Sequence, residues 1–181
     1  FSGTYVYISN CLFRSIVSSS DGGALHCTSL TYLLIELTSF FSCKTSTNCG
    51  GAIYFYNTNN GQCVLHEVCG NDCYTTYTSG SNSQFCRIEV STSVSSKNYV
   101  NYSSIVRCAN EISNTWQMMC QINGKQCYPS VNISMNKCFG RAGIHFQPSS
   151  DSTSVTCLMT HSSLADNNST GYNCVSLWIE A

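Results

Sequence analysis

The chain has 181 residues, 43% of them hydrophobic, and carries 8 Lys+Arg against 9 Asp+Glu, a net charge of -1. Only 9% of residues are charged, where a soluble domain usually has about 25%. That balance supplies no basic stripe for a nucleic-acid backbone and little attraction to an anionic membrane, and it leaves Ser, Thr, Asn and Gln to wet the surface.

Helix formers are scarce, while β-branched and aromatic residues recur in short runs between clusters of Gly, Asn, Ser and Asp. That is the composition of strands and turns. In chain order the runs predict strands near Thr4–Ile8, Leu30–Leu37, Ala52–Tyr56, Cys63–Val68, Gln84–Val90, Ile105–Arg107, Trp116–Ile122, Val131–Met135, Gly143–Phe146, Val155–Met159 and Val175–Ile179. No apolar run approaches the ~20 residues of a membrane span; the longest, Tyr32–Ile35, stops at Glu36.

Residues 11–56 contain an internal repeat. Leu12-Phe13 aligns with Phe40-Phe41, and Gly22-Gly23-Ala24-Leu25 with Gly50-Gly51-Ala52-Ile53; a weaker echo is Lys137–Phe146. The spacing from Gly22 to Gly50 is too short for a domain and fits one coil of a β-solenoid, in which equivalent residues stack one strand spacing apart, about 4.8 Å. Ala24 is then expected over Ala52 and Leu25 over Ile53. Gly22, Gly23, Gly50 and Gly51 are expected at corners that need a positive φ or lack room for a Cβ. Residues 70–130 show the repeat poorly and predict longer loops or an excursion from the coil. Asn123-Gly124, between two strand-like runs, predicts a hairpin that sets Cys120 opposite Cys127 at a separation a disulfide spans.

The 14 cysteines are numerous enough to decide the compartment. Besides Cys120 and Cys127 they are Cys11, Cys27, Cys43, Cys49, Cys63, Cys69, Cys73, Cys86, Cys108, Cys138, Cys157 and Cys174, with no Cys-x-x-Cys pair among them. An even count without metal-type spacing predicts up to seven bridges in an oxidising compartment, with the remaining connectivity open. N-glycosylation sequons at Asn101, Asn132, Asn167 and Asn168 agree with a secreted, extracellular chain. The start, Phe-Ser-Gly-Thr-Tyr, shows no leader, so a mature chain or fragment is expected, its export signal removed.

The Gly-Gly-Ala-[Leu/Ile] units, each preceded by an aromatic pair and a Ser/Cys-rich turn, resemble the repeats of polymorphic outer-membrane-protein-like surface proteins, found in chlamydial adhesins and in large cysteine-containing surface proteins of trichomonads. Those repeats also carry a Phe-x-x-Asn unit; Phe13–Ile16 and Phe41–Lys44 lack its Asn. The resemblance covers the first third of the chain. It implies a right-handed parallel β-helix on a cell surface, used in adhesion or in a coat.

Chemical motifs are sparse. Cys63, His66, Cys69 and Cys73 could in principle hold zinc, but strand alternation turns His66 away from Cys63 and Cys69, and disulfides plus a surface histidine are the simpler expectation. A glycan-active β-helix enzyme needs carboxylates gathered on one face; Asp21, Glu36, Glu67, Asp72, Glu89, Glu111, Asp151, Asp166 and Glu180 are scattered. Nucleophile elbows and phosphate loops are missing. His26, His145 and His161 are expected to be packed or hydrogen-bonded, and Tyr54-Phe55-Tyr56 and Tyr74/Tyr77 to form stacked ladders.

These observations predict one all-β domain over 1–181, a disulfide-stapled parallel β-solenoid with a loop-rich middle. Its expected function is that of an extracellular structural subunit of a coat or head-to-tail filament, glycosylated, without catalysis, metal or cofactor. An adhesin that binds host or matrix glycans or proteins is the alternative, and a polysaccharide-active enzyme the third reading. Self is the expected partner: both ends look like strands, and few charges guard their edges.

Overall fold

The computed structural model describes residues 4–46, 49–77, 83–108, 116–171 and 177–180. Cys174, Glu111 and the first residues of the expected strand Val175–Ile179 lie outside them. The described chain is a β-solenoid: its strands stack in parallel from coil to coil, with no helix.

The strands form four faces along the stack. The first stacks Tyr5–Ser9, Tyr32–Glu36, Gln62–His66, Lys97–Asn101, Lys125–Pro129 and Cys157–Thr160; the second stacks Leu12–Arg14, Ser39–Phe41, Cys69–Asn71, Ser104–Val106, Asn132–Ser134 and Ser163–Ala165. The third is narrow and interrupted, with Val17–Ser18, Lys44–Thr45 and Tyr74–Thr75 in one sheet and Lys137–Cys138 with Asn168–Ser169 in another. The fourth stacks Leu25–Thr28, Ile53–Tyr56, Ser83–Glu89, Gln117–Ile122, Arg141–Gln147 and Leu177–Ile179. Ten of the expected strands are present with boundaries shifted by one or two residues, and the described part of the eleventh, Leu177–Ile179, is a strand.

Alternation explains which side chains enter the coil. In Tyr32–Glu36, Leu33 and Ile35 are buried while Tyr32, Leu34 and Glu36 are half-buried. Register then aligns like with like. Ile8, Ile35, Leu65, Val100, Tyr128 and Met159 form one inward column, and Leu25, Ile53, Cys86, Met119, Ile144 and Leu177 another. Each large apolar side chain so buried contributes roughly 1.5–3 kcal/mol, but only because the neighbouring rungs cover it.

Leu25 pairs with Ile53, and the N–H of Ala24 donates to the carbonyl of Ala52, as the glycine repeat requires. The aromatic alignment is corrected by one residue. Phe13 pairs with Phe40, not Phe41, and their rings stack at 5.0 Å. The second coil holds one extra residue in its third-to-fourth-face loop, which accounts for the change in spacing. At the glycine pair Gly22 and Gly50 have φ of 70° and 68° and also lack room for a Cβ, which would meet the backbone of Leu25 or Ile53, whereas Gly23 and Gly51 are constrained by space alone, a Cβ there entering the backbone of Gly51 or Tyr74.

Two further corners run the length of the stack without glycine. Asn10, Leu37, Glu67, Tyr102, Ser130 and His161 turn the first face into the second at φ from 48° to 54°; Ser15, Ser42, Asp72, Arg107, Met135 and Asp166 turn the second into the third at 51° to 57°. Left-handed backbone costs a non-glycine residue about 1–2 kcal/mol. The stack holds it there by pairing the corner N–H groups across rungs, as in Leu37 to His66 O at 3.1 Å and Ser42 to Asn71 O at 3.0 Å.

The described strands of residues 70–130 stay in the coil. Cys69–Asn71, Ser83–Glu89, Lys97–Asn101, Ser104–Val106, Gln117–Ile122 and Lys125–Pro129 keep parallel register with both neighbours, while Tyr74–Thr75 pairs with Lys44–Thr45 alone among the described residues. The irregularity is in coil length: equivalent residues lie 27, 30, 35, 28 and 31 positions apart in successive coils.

The Asn123-Gly124 hairpin is likewise corrected. Both residues have positive φ, 66° and 70°, as a tight turn demands, yet the flanking strands belong to different faces. Gln117–Ile122 is already paired with Ser83–Glu89 and Arg141–Gln147, and Lys125–Pro129 with Lys97–Asn101 and Cys157–Thr160. Neither has an edge left for the other. Buried amides hold this corner: Asn98 Nδ2 donates to the carbonyls of Ile122 and Asn123 at 3.1 and 3.2 Å, and Gln126 Nε2 to that of Gln121 at 3.0 Å.

Candidate functional site

The expected disulfide between Cys120 and Cys127 is absent. Cys120 stacks between Arg87 and His145 on the fourth face, Cys127 between Tyr99 and Leu158 on the first, and both are free thiols. No two of the thirteen described cysteines are joined in a disulfide, and nine of them are buried.

The densest group of reactive side chains lies on the outside of the fourth face. Its outward column reads His26, Tyr54, Arg87, Cys120, His145 and Trp178. Cys120 Sγ is 3.7 Å from His145 Nδ1, and His145 Nε2 is 3.0 Å from Glu180 Oε2. Arg141 Nη1 lies 3.2 Å from the same Nδ1, and its guanidinium covers the Trp178 ring at 4.4 Å. Arg87 is held 3.2 Å from Glu89. Since Arg141 can only donate, Nδ1 is an acceptor, and the neutral imidazole carries its proton on Nε2, directed at Glu180.

Burial sets the electrostatics. It lowers the His145 pKa, with Arg141 adding to the effect and Glu180 opposing it. Burial also pushes the Cys120 thiol up to about 12, against the pull of Arg87. The order Cys120–His145–Glu180 has the connectivity of a nucleophilic relay, but such chemistry needs an exposed thiolate. Cys120 is 1% exposed and its thiol form is favoured. The cluster in this state braces three rungs of the outer face.

The other sequence candidates are dispersed. Cys63 points into the core, His66 sits on the surface beside Glu67 at 3.5 Å and against the Tyr102 ring, Cys69 is exposed, and Cys73 is buried in the second-to-third-face turn. The corners at Glu67 and Asp72 place these residues on separate faces. Among the described residues no three His, Cys, Asp or Glu side chains gather into a metal-sized group. Of the aromatics, Tyr54 stacks with His26 and Tyr56, and Tyr74 receives Lys44 Nζ at 4.6 Å.

The sequons differ in geometry. Asn101 and Asn132 are half-buried, Asn132 donating to Ser104 Oγ at 3.1 Å. Asn167 turns into the coil, where its Nδ2 donates to Ile133 O at 2.8 Å, while its neighbour Asn168 is exposed.

From the sequence His145 is expected to be one packed or hydrogen-bonded histidine. Its partners Cys120, Arg141 and Glu180 lie 25, 4 and 35 residues away, and no local motif links them. Only the fourth-face register, known once coil lengths are known, brings them together.

The two terminal rungs are the other site. Among the described residues, Tyr5–Ser9 pairs only with Tyr32–Glu36, and Leu177–Ile179 only with Arg141–Gln147. The inward residues of the end rungs are left partly covered: Val6, Ile8, Phe13 and Ile16 at one end, Cys157, Met159 and Leu164 at the other, with Leu177 and Ile179 exposed.

No family model, curated protein or solved structure matches this chain.

Proposed function

We propose that the chain is an extracellular structural subunit, a β-solenoid that stacks end to end with further copies of itself in a surface coat or filament. The observation that carries this reading is the apolar match of the inward residues of the two terminal described rungs, partly covered on the first and second faces, with Leu25 and Cys27 already buried. Continuing the observed register from the last rung to the first sets Cys157 against Val6, Met159 against Ile8, Leu164 against Phe13, Leu177 against Leu25 and Ile179 against Cys27. Every one of these pairs is apolar or thiol, and the equivalent pairs within the stack are buried. The unpaired N–H and C=O groups of each end strand would at the same time gain partners. A head-to-tail contact of this kind does not close, so it grows a filament. The low charge and the sequons support an extracellular setting, where attached glycans would wet the surface.

Electron microscopy of the unreduced native protein tests the reading, with Val6→Lys as control, since a lysine in an inward column of the end rung blocks the contact. Rods with an axial repeat near 4.8 Å that disappear in Val6→Lys are expected. Discrete particles at high concentration would overturn it.

A further inference from the structure

Cys43, Cys73 and Cys108 occupy one inward column. Each directly follows a left-handed corner residue, Ser42, Asp72 or Arg107, in consecutive rungs. Each is fully buried. Each thiol donates to the carbonyl two residues before it, Phe41 O at 3.7 Å, Asn71 O at 3.4 Å and Val106 O at 3.5 Å, and the stacked sulfurs are near enough that Cys73 raises the Cys43 pKa and Cys108 that of Cys73. The N–H of Cys73 also donates to Cys108 Sγ at 3.5 Å, and the N–H of Tyr74 to the Cys43 carbonyl at 3.1 Å, which fixes the vertical alignment. Adjacent rungs are about 4.8 Å apart, inside the Cα window of roughly 4.4–6.8 Å that a disulfide spans.

Column neighbours outside the trio end the thiol run on both sides. Ile16 lies in the rung below and Asn136 in the rung above, where its side-chain oxygen accepts the Cys108 N–H at 2.8 Å. Cys73 therefore has two thiol neighbours, and Cys43 and Cys108 have one each within the column.

We propose that this column is a redox site in which oxidation joins Cys73 to either Cys43 or Cys108, leaving one cross-rung disulfide and one thiol. The oxidant is a small external disulfide such as oxidised glutathione. A column thiolate attacks it, forming a mixed disulfide and releasing one glutathione thiolate. The neighbouring column thiolate then attacks the protein sulfur and releases the second. Two electrons and the two thiol protons end on two molecules of glutathione. The remaining thiol keeps the bridge mobile: a Cys108 thiolate attacking Cys73 expels Cys43, which takes up the proton Cys108 lost. Because all three sulfurs are sealed in the folded coil, the oxidation belongs to folding or to opening of the stack. The site does not depend on end-to-end association.

The test is refolding in a glutathione redox buffer, denaturation with N-ethylmaleimide present, and peptide mapping without reduction. In the native sequence Cys73 is expected to be protected throughout, with Cys43 and Cys108 each protected in complementary fractions. Cys43→Ser should make Cys108 fully protected, Cys108→Ser should do the same for Cys43, and Cys73→Ser should leave both alkylated. The native-sequence map decides on its own if a variant fails to fold. Cys73 alkylated as readily as its neighbours, bridged outside the column, or bridged to one neighbour alone would overturn the proposal.

Discussion

Asn136 accepts the backbone N–H of Cys108, one rung away, on its side-chain oxygen at 2.8 Å. Its own N–H and Nδ2 both donate to Asn167 Oδ1 at 3.1 Å, and Nδ2 also reaches Ile105 O at 3.1 Å. Cys108 performs the same service for Cys73 with sulfur, so cysteine and asparagine are interchangeable acceptors in one ladder. Asn136→Leu orphans a buried N–H and a buried carbonyl and is expected to cost about 2–6 kcal/mol, since each such group costs about 1–3 kcal/mol. Asn136→Cys restores an acceptor and is expected to lose about half as much. Urea denaturation midpoints at equal m-value separate the two.

Glycine is required at Gly51 for space and not for φ. A Cβ there would meet the backbone of Tyr74 in the next rung, which cannot yield without breaking the register. Gly51→Ala is expected to destabilise by about 3 kcal/mol, the upper end for overpacking. Met135 is the opposite case, an exposed side chain at φ 57°. Met135→Gly removes left-handed strain of about 1–2 kcal/mol against a glycine entropy cost of about 0.5–1 kcal/mol, for a net gain of about 0.5 kcal/mol. The two midpoints should therefore move in opposite directions; a loss at both would mean that the corner strain is not relieved by glycine.

What the sequence made legible was the class of fold and the strands that carry bulky apolar residues. Gly22–Leu25 against Gly50–Ile53 revealed the coil because both residues of the glycine pair lack room for a Cβ, and the first of each pair also needs a positive φ. Elsewhere the constraint is on backbone and not on residue type: corners as different as Leu37, Glu67, Tyr102 and Ser130 adopt one φ, so no pattern marks them. Two- and three-residue strands such as Lys44–Thr45 and Cys69–Asn71 are too short to show alternation. Gly70 breaks the Phe13–Phe40 column, yet the Phe85 ring from the fourth face fills the gap, a substitution visible only in three dimensions. The Cys120–His145–Glu180 cluster was hidden for a related reason: on the fourth face Cys120 pairs with His145 after 25 residues and His145 with Trp178 after 33, so no constant period links them.

The overlapping sequons at Asn167 and Asn168 should be modified unequally. Asn167 spends its Nδ2 on Ile133 O inside the coil, and a glycan there would pull it out of the ladder that supports Asn136. Asn168 is exposed. After expression through a glycosylating secretory route, enzymatic deglycosylation in heavy-oxygen water should label Asn168 and leave Asn167 unlabelled. Label at Asn167 would show that the last rung is modified before it closes.

His145 should make stability depend on pH in a fixed direction. Burial and the adjacent Arg141 hold its folded pKa below the ordinary value, which is about 6.5. As pH falls, the unfolded chain takes up a proton before the folded one, so folding releases a proton in the window between the two pKa values. The stabilisation is complete above pH of about 6.5, is lost as pH falls towards the folded pKa, and levels off below it. The slope for one group cannot exceed about 1.4 kcal/mol per pH unit. Glu180 opposes the shift and is half-exposed, so the observed slope should lie below that limit. His145→Gln keeps a donor for Glu180 but cannot titrate, and its stability between pH 7 and pH 5 should fall less than that of the native chain. Equal slopes in urea titrations at pH 7, 6 and 5 would show that His145 does not carry the dependence and that the Arg141–His145–Glu180 contact is loose in solution.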